Sequence, residues 1–231
     1  DQFDIEIGSH VVQIGAARSA WGAKGESVAG WREIFKRAEQ SDLRCADSKA
    51  AEKMRQSITA AAKAGDSVGG IFEVVALGVP VGLGSYVHWD TRLDGQLAQS
   101  VMSVPAVKGV EIGLGFAQAE LPGSKVHDEI FLKIGKIYRK TNHAGGLEGG
   151  ITNGEPVVIR AAMKPIATLK KPLRTIDWNT KKPAEAQVER ADTCAVAAAG
   201  VVAEAMVAFT LAAAFLAKFG GDSVEEIKER V

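Results

Sequence analysis

From Thr193 to Ala217 the chain carries one charge, Glu204, on a background of alanine set with Val201, Val202, Met206, Val207, Phe209, Leu211, Phe215 and Leu216. A run this long and apolar has two destinations, a bilayer or a packed interior. Length alone permits a membrane span. Alanine is only weakly hydrophobic, however, and the run begins directly after Arg190 and Asp192. The expectation is therefore a buried core helix and no membrane association. Lys218 and the Gly220–Gly221 pair provide its C-terminal stop. The rest of the chain has to supply surfaces that cover this helix.

Those surfaces are legible in outline. Ile5 to Ile14 reads as a strand bracketed by Gly8 and Gly15, with Val11, Val12 and Ile14 as its apolar members. Trp31 to Glu39 reads as a short helix. A clearer one follows, capped by Asp47 or Ser48, carrying Ala51, Met54, Ile58, Ala61 and Ala62 at helical spacing and stopped by Gly65. Gly69 to Leu77 is a β-type run, Gly78-Val79-Pro80 a turn, and Val81 to Val87 a second strand. Leu93, Leu97 and Val101 mark a helix, and Val107 to Ile112 another strand. Gly145 to Ala162 repeats the pattern of a Gly-Gly pair with a Gly-x-Pro-Val turn, which suggests one β-hairpin used twice. A short capped helix starts at Ser223. The expected class is α+β: a single domain over residues 1–231, with antiparallel or mixed sheets packed around the Ala-rich helix.

Charge and cysteine content narrow the function. Lys plus Arg and Asp plus Glu are both 28 in 231 residues, so the net charge is zero and no basic excess supports nucleic-acid binding. Cys45 and Cys194 are too few for a disulfide scaffold or a four-thiolate metal site. No basic segment followed by an apolar one opens the chain, so secretion is not signalled. The start at Asp1, without Met, suggests a processed or excerpted product. His10, His88, His127 and His143 are scattered without i, i+4 pairing, and no metal site is expected. His88 stands out slightly, beside Trp89 and Asp90. Gly113-Leu114-Gly115 opens like a dinucleotide fingerprint, but Gln118 occupies the third glycine's place, and no phosphate loop of the Gly-x-x-x-x-Gly-Lys type is present.

Glycine is abundant at 25 residues, above the usual ~7%, without low complexity. Three clusters are dense enough to carry chemistry. Thr141 to Gly154 contains five glycines and two asparagines, a composition that suits close approach to a phosphate or a flat ring and equally suits a plain hairpin. Met163 to Leu169 places Lys164, Pro165 and Thr168 at a strand end, where one charge and a few fixed donors can hold a phosphate. Glu189 to Cys194 puts Arg190, a bidentate anion fork, at the start of the apolar helix, whose N-terminus favours negative charge. Asp192 in that cluster is either a site carboxylate or the helix N-cap.

In order along the chain, Gly65-Asp66-Ser67-Val68-Gly69-Gly70, Val81 to Gly84, Met102 to Gly113, Asn142 to Gly154, Lys164 to Thr168 and Arg190 to Glu204 resemble chorismate synthase, over a span from Ser9 to Val224. Departures are Ala191 where the family commonly has Ser, Ala197 where Pro is usual, and Pro105 where many members carry Asn. The family's Gly-Glu-Ser-His-Gly and Gly-Arg-Ser-Ser-Ala-Arg-Glu motifs do not occur in these residues; Gly25-Glu26-Ser27 is followed by Val28. Those motifs carry the family's active-site histidines and several arginines. The resemblance therefore implies the C-terminal portion of a larger enzyme domain in a β-α-β sandwich fold.

It also implies an activity. The family is a carbon–oxygen lyase of the shikimate pathway, which leads to the aromatic amino acids. It converts 5-enolpyruvylshikimate 3-phosphate to chorismate by 1,4-anti elimination of phosphate and a C6 hydrogen. The reaction requires reduced FMN, with NADPH as an external or N-terminal-dependent reductant. By family position, Pro105, Ala106, Gly149, Lys164, Pro165, Ile166, Ala167, Thr168 and Arg190 would contact FMN, and Asp192 would act catalytically beside it. A cytoplasmic homotetramer is expected. The alternative is an inactive truncated paralogue that serves as a flavin-binding or assembly module.

Overall fold

The structure, a computed structural model, describes residues 2–22, 27–133, 135–189 and 191–231. Its centre is a five-stranded antiparallel sheet in the order β2-β1-β3-β9-β4. The strands are β1 (Glu6–Ile14), β2 (Ala17–Arg18), β3 (Gly70–Leu77), β4 (Val107–Ile112) and β9 (Val157–Met163). Side chains alternate between two faces. Val11, Phe72, Val74, Ala76, Val157, Ile159 and Ala161 form one, beneath α2 (Ser48–Lys63), α3 (Leu93–Met102) and α5 (Val196–Phe219). Val75, Leu77 and Val158 form the other, beneath α1 (Val28–Glu39), which presents Trp31, Ile34 and Phe35. Gly8 lies under the Phe35 ring, where a Cβ would collide with the ring carbons.

The helices start and stop where their caps dictate. Ser27 Oγ accepts from the Gly30 amide, and Asp47 accepts from the Lys49 and Ala50 amides. Ser223 accepts from the Glu226 amide and opens α6 (Val224–Lys228). The Ala-rich run is helical and packs on β1, β3 and α3 through Val196, Ala199, Ala203, Val207, Leu211 and Phe215. By length and composition it could cross a membrane. Its opposite face carries Val201, Val202, Phe209 and Leu216 exposed, Phe209 at 79%, so the burial expected all round is realised along one stripe.

Around this core lie α4 (Gly123–Val126) and the hairpins β5–β6 (Ile130–Lys133, Lys136–Arg139), β7–β8 (Leu147–Glu148, Ile151–Thr152) and β10–β11 (Arg174–Ile176, Pro183–Glu185). Two expectations are corrected. Val81 to Val87 is not a strand: Gly82 and Gly84 have φ of +85° and +97°, and only Gly84 bridges to Ile151. Thr152 takes over that segment instead, accepting from the Leu83 amide at 2.8 Å and donating to the Pro80 carbonyl at 2.6 Å. The repeated hairpin is not one either, because the long strand precedes Gly-x-Pro-Val in the first unit and follows it in the second. Their strands β3 and β9 pair with each other across the sheet.

Candidate active site

β9 leaves the sheet at Met163, and the chain continues as Lys164-Pro165-Ile166-Ala167-Thr168. Proline has no N–H, so this exit can make few ladder-type bonds. Lys164 donates its backbone N–H to the Ala106 carbonyl at 2.9 Å, which joins it to the turn between α3 and β4. Ala106 adopts φ +69°, an uncommon conformation for a residue with a Cβ. Ile166 is held from a third segment, its carbonyl accepting from the Ser67 hydroxyl at 2.6 Å. The Val68 amide beside it donates to the Thr193 carbonyl at 2.9 Å, which brings in the segment leading to α5. Pro105, Ala106, Lys164 to Thr168 and Asp192 thus come from three chain segments gathered at one end of the sheet. Lys164, Pro165, Ala167 and Asp192 are exposed, and Ala106, Ile166 and Thr168 are half-buried. Arg190 lies outside the described residues.

Asp192 is not the helix cap. α5 begins at Val196 with Ala195 at the N-cap position and no side-chain cap bond. The first turn of a long helix therefore offers amide groups without a capping side chain. That donor set suits an anion, and it fits the phosphate end of a flavin mononucleotide.

The glycine-rich loop divides in two. Gly145 and Gly113 cross backbone to backbone, and Gly150 packs against the Ser85 carbonyl and Arg92, so a Cβ at any of the three meets backbone or side chain. These glycines serve chain crossings. Gly149, at φ +61°, has nothing within 4 Å of where its Cβ would lie and is open to a ligand. The structure does not bring it beside Lys164. The Leu93 amide donates to the Gly150 carbonyl, which places this hairpin at the start of α3, whereas Ala106 follows the end of α3. Ten helical residues set these points about 15 Å apart. The loop's entry is organised by Asp128, which accepts from the His143 and Ala144 amides and the Thr141 hydroxyl. Burial pushes its pKa up, but these hydrogen bonds outweigh that and hold it below the ordinary aspartate range. His88 is exposed.

Sequence reasoning missed a second polar cluster. His10, Glu73, Arg160 and Glu111 sit opposite one another across four adjacent strands on the face under α1. His10 Nε2 and Glu73 Oε2 are 2.8 Å apart, and both side chains are fully buried. Arg160 donates to Glu73 Oε1 from Nε and Nη2 at 2.9 and 2.7 Å and lies 3.5 Å from Glu111. Burial pushes the Glu73 carboxyl up, but the His10 hydrogen bond and the electrostatic pull of His10 and Arg160 bring it below the ordinary glutamate range. Gly22 lies against this pair with no room for a Cβ. The overlooked signal was the single charged residue inside each of the apolar strands β3 and β9, Glu73 and Arg160. Among the described residues, no three His, Cys, Asp or Glu side chains come together as a metal ion would need.

An antiparallel sheet with an open anion-ready end, backed by a long apolar helix, matches a solved fold closely. A crystal structure of chorismate synthase superposes with a TM-score of 0.85 and 43% sequence identity, covering 99% of this chain and 62% of that one. The chorismate synthase family model matches residues 1–216. Chorismate synthases from Geobacter sulfurreducens and Desulforamulus reducens are each 52% identical to this chain, over 98% and 100% of it. That from Syntrophotalea carbinolica is 56% identical over 89%. The chain belongs to the chorismate synthase family. It spans 53% to 59% of the length of these three relatives.

Proposed function

We propose that the chain is the flavin-holding and proton-handling part of a chorismate synthase, a lyase that eliminates phosphate from 5-enolpyruvylshikimate 3-phosphate to give chorismate. The observation that carries this reading is the junction of Lys164, Ala106 and the segment before α5 around Ser67 and Val68. Lys164 and the first-turn amides of α5 would bind the flavin phosphate, with Pro105, Ala106, Pro165, Ile166, Ala167 and Thr168 flanking the cofactor. Gly149 and Arg190 are assigned to the same cofactor by family position. Bound reduced FMN supplies transient electron density to a reaction with no net redox change. Asp192, exposed at the rim, takes or steers the proton released when the C6–H bond breaks. Phosphate leaves from the other end of the new diene with the electron pair of its C–O bond. NADPH is an external reductant in this reading. The assembly is a cytoplasmic homotetramer, and the chain is the C-terminal portion of the larger enzyme domain.

Lys164→Met tests the reading in the protein at the length of its relatives. Loss of one charge-assisted contact should weaken FMN binding by roughly 1.5–3 kcal/mol, read by flavin titration. An unchanged titration sinks the flavin assignment, and a loss confined to substrate affinity moves Lys164 to the substrate phosphate.

A further inference from the structure

Lys164 and Asp192 stand on segments far apart in the chain, and neither segment is long enough or regular enough to fix itself. After Met163 the chain leaves the sheet, with the Lys164 amide still bonded to the Ala106 carbonyl, and before Val196 the chain is irregular. Both are tied to one short strap, Gly65 to Gly69, between α2 and β3. Ser67 donates its hydroxyl to the Ile166 carbonyl at 2.6 Å. The Gly65 carbonyl accepts the Lys171 amide at 3.0 Å, so the strap grips the turn after Lys164 at two points. Val68 donates to Thr193, one residue from Asp192. Gly69 lies flat on the exit strand: a Cβ there would come within 2.8 Å of the Lys164 carbonyl carbon and the Pro165 nitrogen.

The strap is itself anchored. The Asp66 and Gly65 amides donate to the Ala61 and Ala62 carbonyls at the end of α2, and the Gly69 carbonyl accepts from the Gly15 amide at 2.9 Å. Within it, Ser67 is the one residue whose side chain reaches the Lys164–Thr168 turn by a hydrogen bond among the described residues.

We infer that Ser67 is a positioning residue of the flavin site, its hydroxyl setting the Lys164–Thr168 turn while the adjacent Val68 amide sets the Asp192 segment. This rests on the flavin reading proposed above. Removing the hydroxyl leaves the Ile166 carbonyl without its partner and frees the turn, while the sheet and helix core stay intact. Thr keeps the hydroxyl and should keep the function.

The experiment compares Ser67→Ala, Ser67→Thr and Lys164→Met in the protein at the length of its relatives. It reads FMN titration, the visible absorption band of bound flavin, turnover and thermal melts. Ser67→Ala should weaken FMN binding about 3- to 10-fold and displace the flavin band. Its melt should stay close to wild type, and Ser67→Thr should restore both flavin readouts. Wild-type affinity and an unshifted band in Ser67→Ala, with Lys164→Met impaired, overturn the positioning role alone. A Lys164→Met variant that still binds FMN normally overturns the flavin reading and this inference with it. If Ser67→Ala and Ser67→Thr lose affinity alike, the hydroxyl is not the agent and the inference fails.

Discussion

The molecule treats charge in two opposite ways. On the α1 face of the sheet, His10, Glu73, Arg160 and Glu111 are interlocked across four strands, and the two central acid–base partners are shut off from solvent. At the sheet's end, Lys164 and Asp192 are exposed, and the nearby start of α5 has no capping side chain. Side chains bonded to one another across neighbouring strands hold those strands in register, even though His10 Nδ1 is left without a partner. Groups held in place only through their backbones keep their chemistry for a ligand. A perturbed, buried carboxylate is a familiar marker of function, yet here the perturbed ones include Glu73 and Asp128, and the residue proposed for catalysis is neither.

Asp192→Asn probes the open end. If Asp192 handles the C6 proton, turnover measured anaerobically with reduced FMN should fall by roughly 10²–10⁴-fold, with the melt unmoved because Asp192 caps nothing. Full turnover would leave the contrast without its functional half. Glu73→Gln probes the closed cluster. It strips the charge between His10 and Arg160, and unfolding free energy should drop by roughly 3–5 kcal/mol in a denaturant titration. FMN affinity of the folded fraction should stay the same; a stable variant that loses flavin would put the ladder inside the site.

The closed cluster also has a pH signature. Glu73 has a depressed pKa in the folded chain, so its contribution is fully present above the unfolded glutamate value, about 4.3. It is lost as pH falls through the depressed folded value. Denaturation midpoints followed from pH 6 downward should decline over that acid range, and Glu73→Gln should flatten the decline. The smallest effect is expected at Gly149→Ala. The left-handed φ of +61° costs an L-residue about 1–2 kcal/mol, and the added methyl meets no neighbouring atom. FMN affinity dropping by more than the stability loss implies would place the flavin against this hairpin.

Much of this architecture can be read from the sequence because it is local. Asp47 and Ser223 cap helices as their side chains dictate, and the β-type run to Leu77 is a strand, with unbroken apolar residues Val74 to Leu77 buried on both faces. Val81 to Val87 misleads for an equally local reason. Its apolar residues look β-like, but two glycines turn the backbone out of the ladder and Thr152, some 70 positions later, binds what remains. The ladder is hidden because its partners lie 63 and 87 residues apart in sequence, and only strand order makes them neighbours. Of the residues singled out, Lys164 and Ala106 are joined by a backbone hydrogen bond that the sequence does not reveal. The N-cap role considered for Asp192 goes to Ala195, because the helix begins three residues later than its apolar run suggested.

A helix rich in alanine and apolar on nearly every side could present the sheet with an apolar surface at more than one rotation, so packing is not the only thing that sets its screw phase. Glu204, the single charge in that run, meets Arg44 Nη2 at 2.8 Å, and the same nitrogen donates to the Ser9 carbonyl on β1 at 3.3 Å. One residue of rotation swings a helical side chain through about 100°, enough to carry Glu204 off this peg. Arg44 therefore indexes α5 like a key in a shaft. The indexing reaches about two turns back along the helix to the start of α5 and the segment before it that carries Asp192, so the direction in which that carboxylate emerges is fixed in part by an arginine on the loop between α1 and α2.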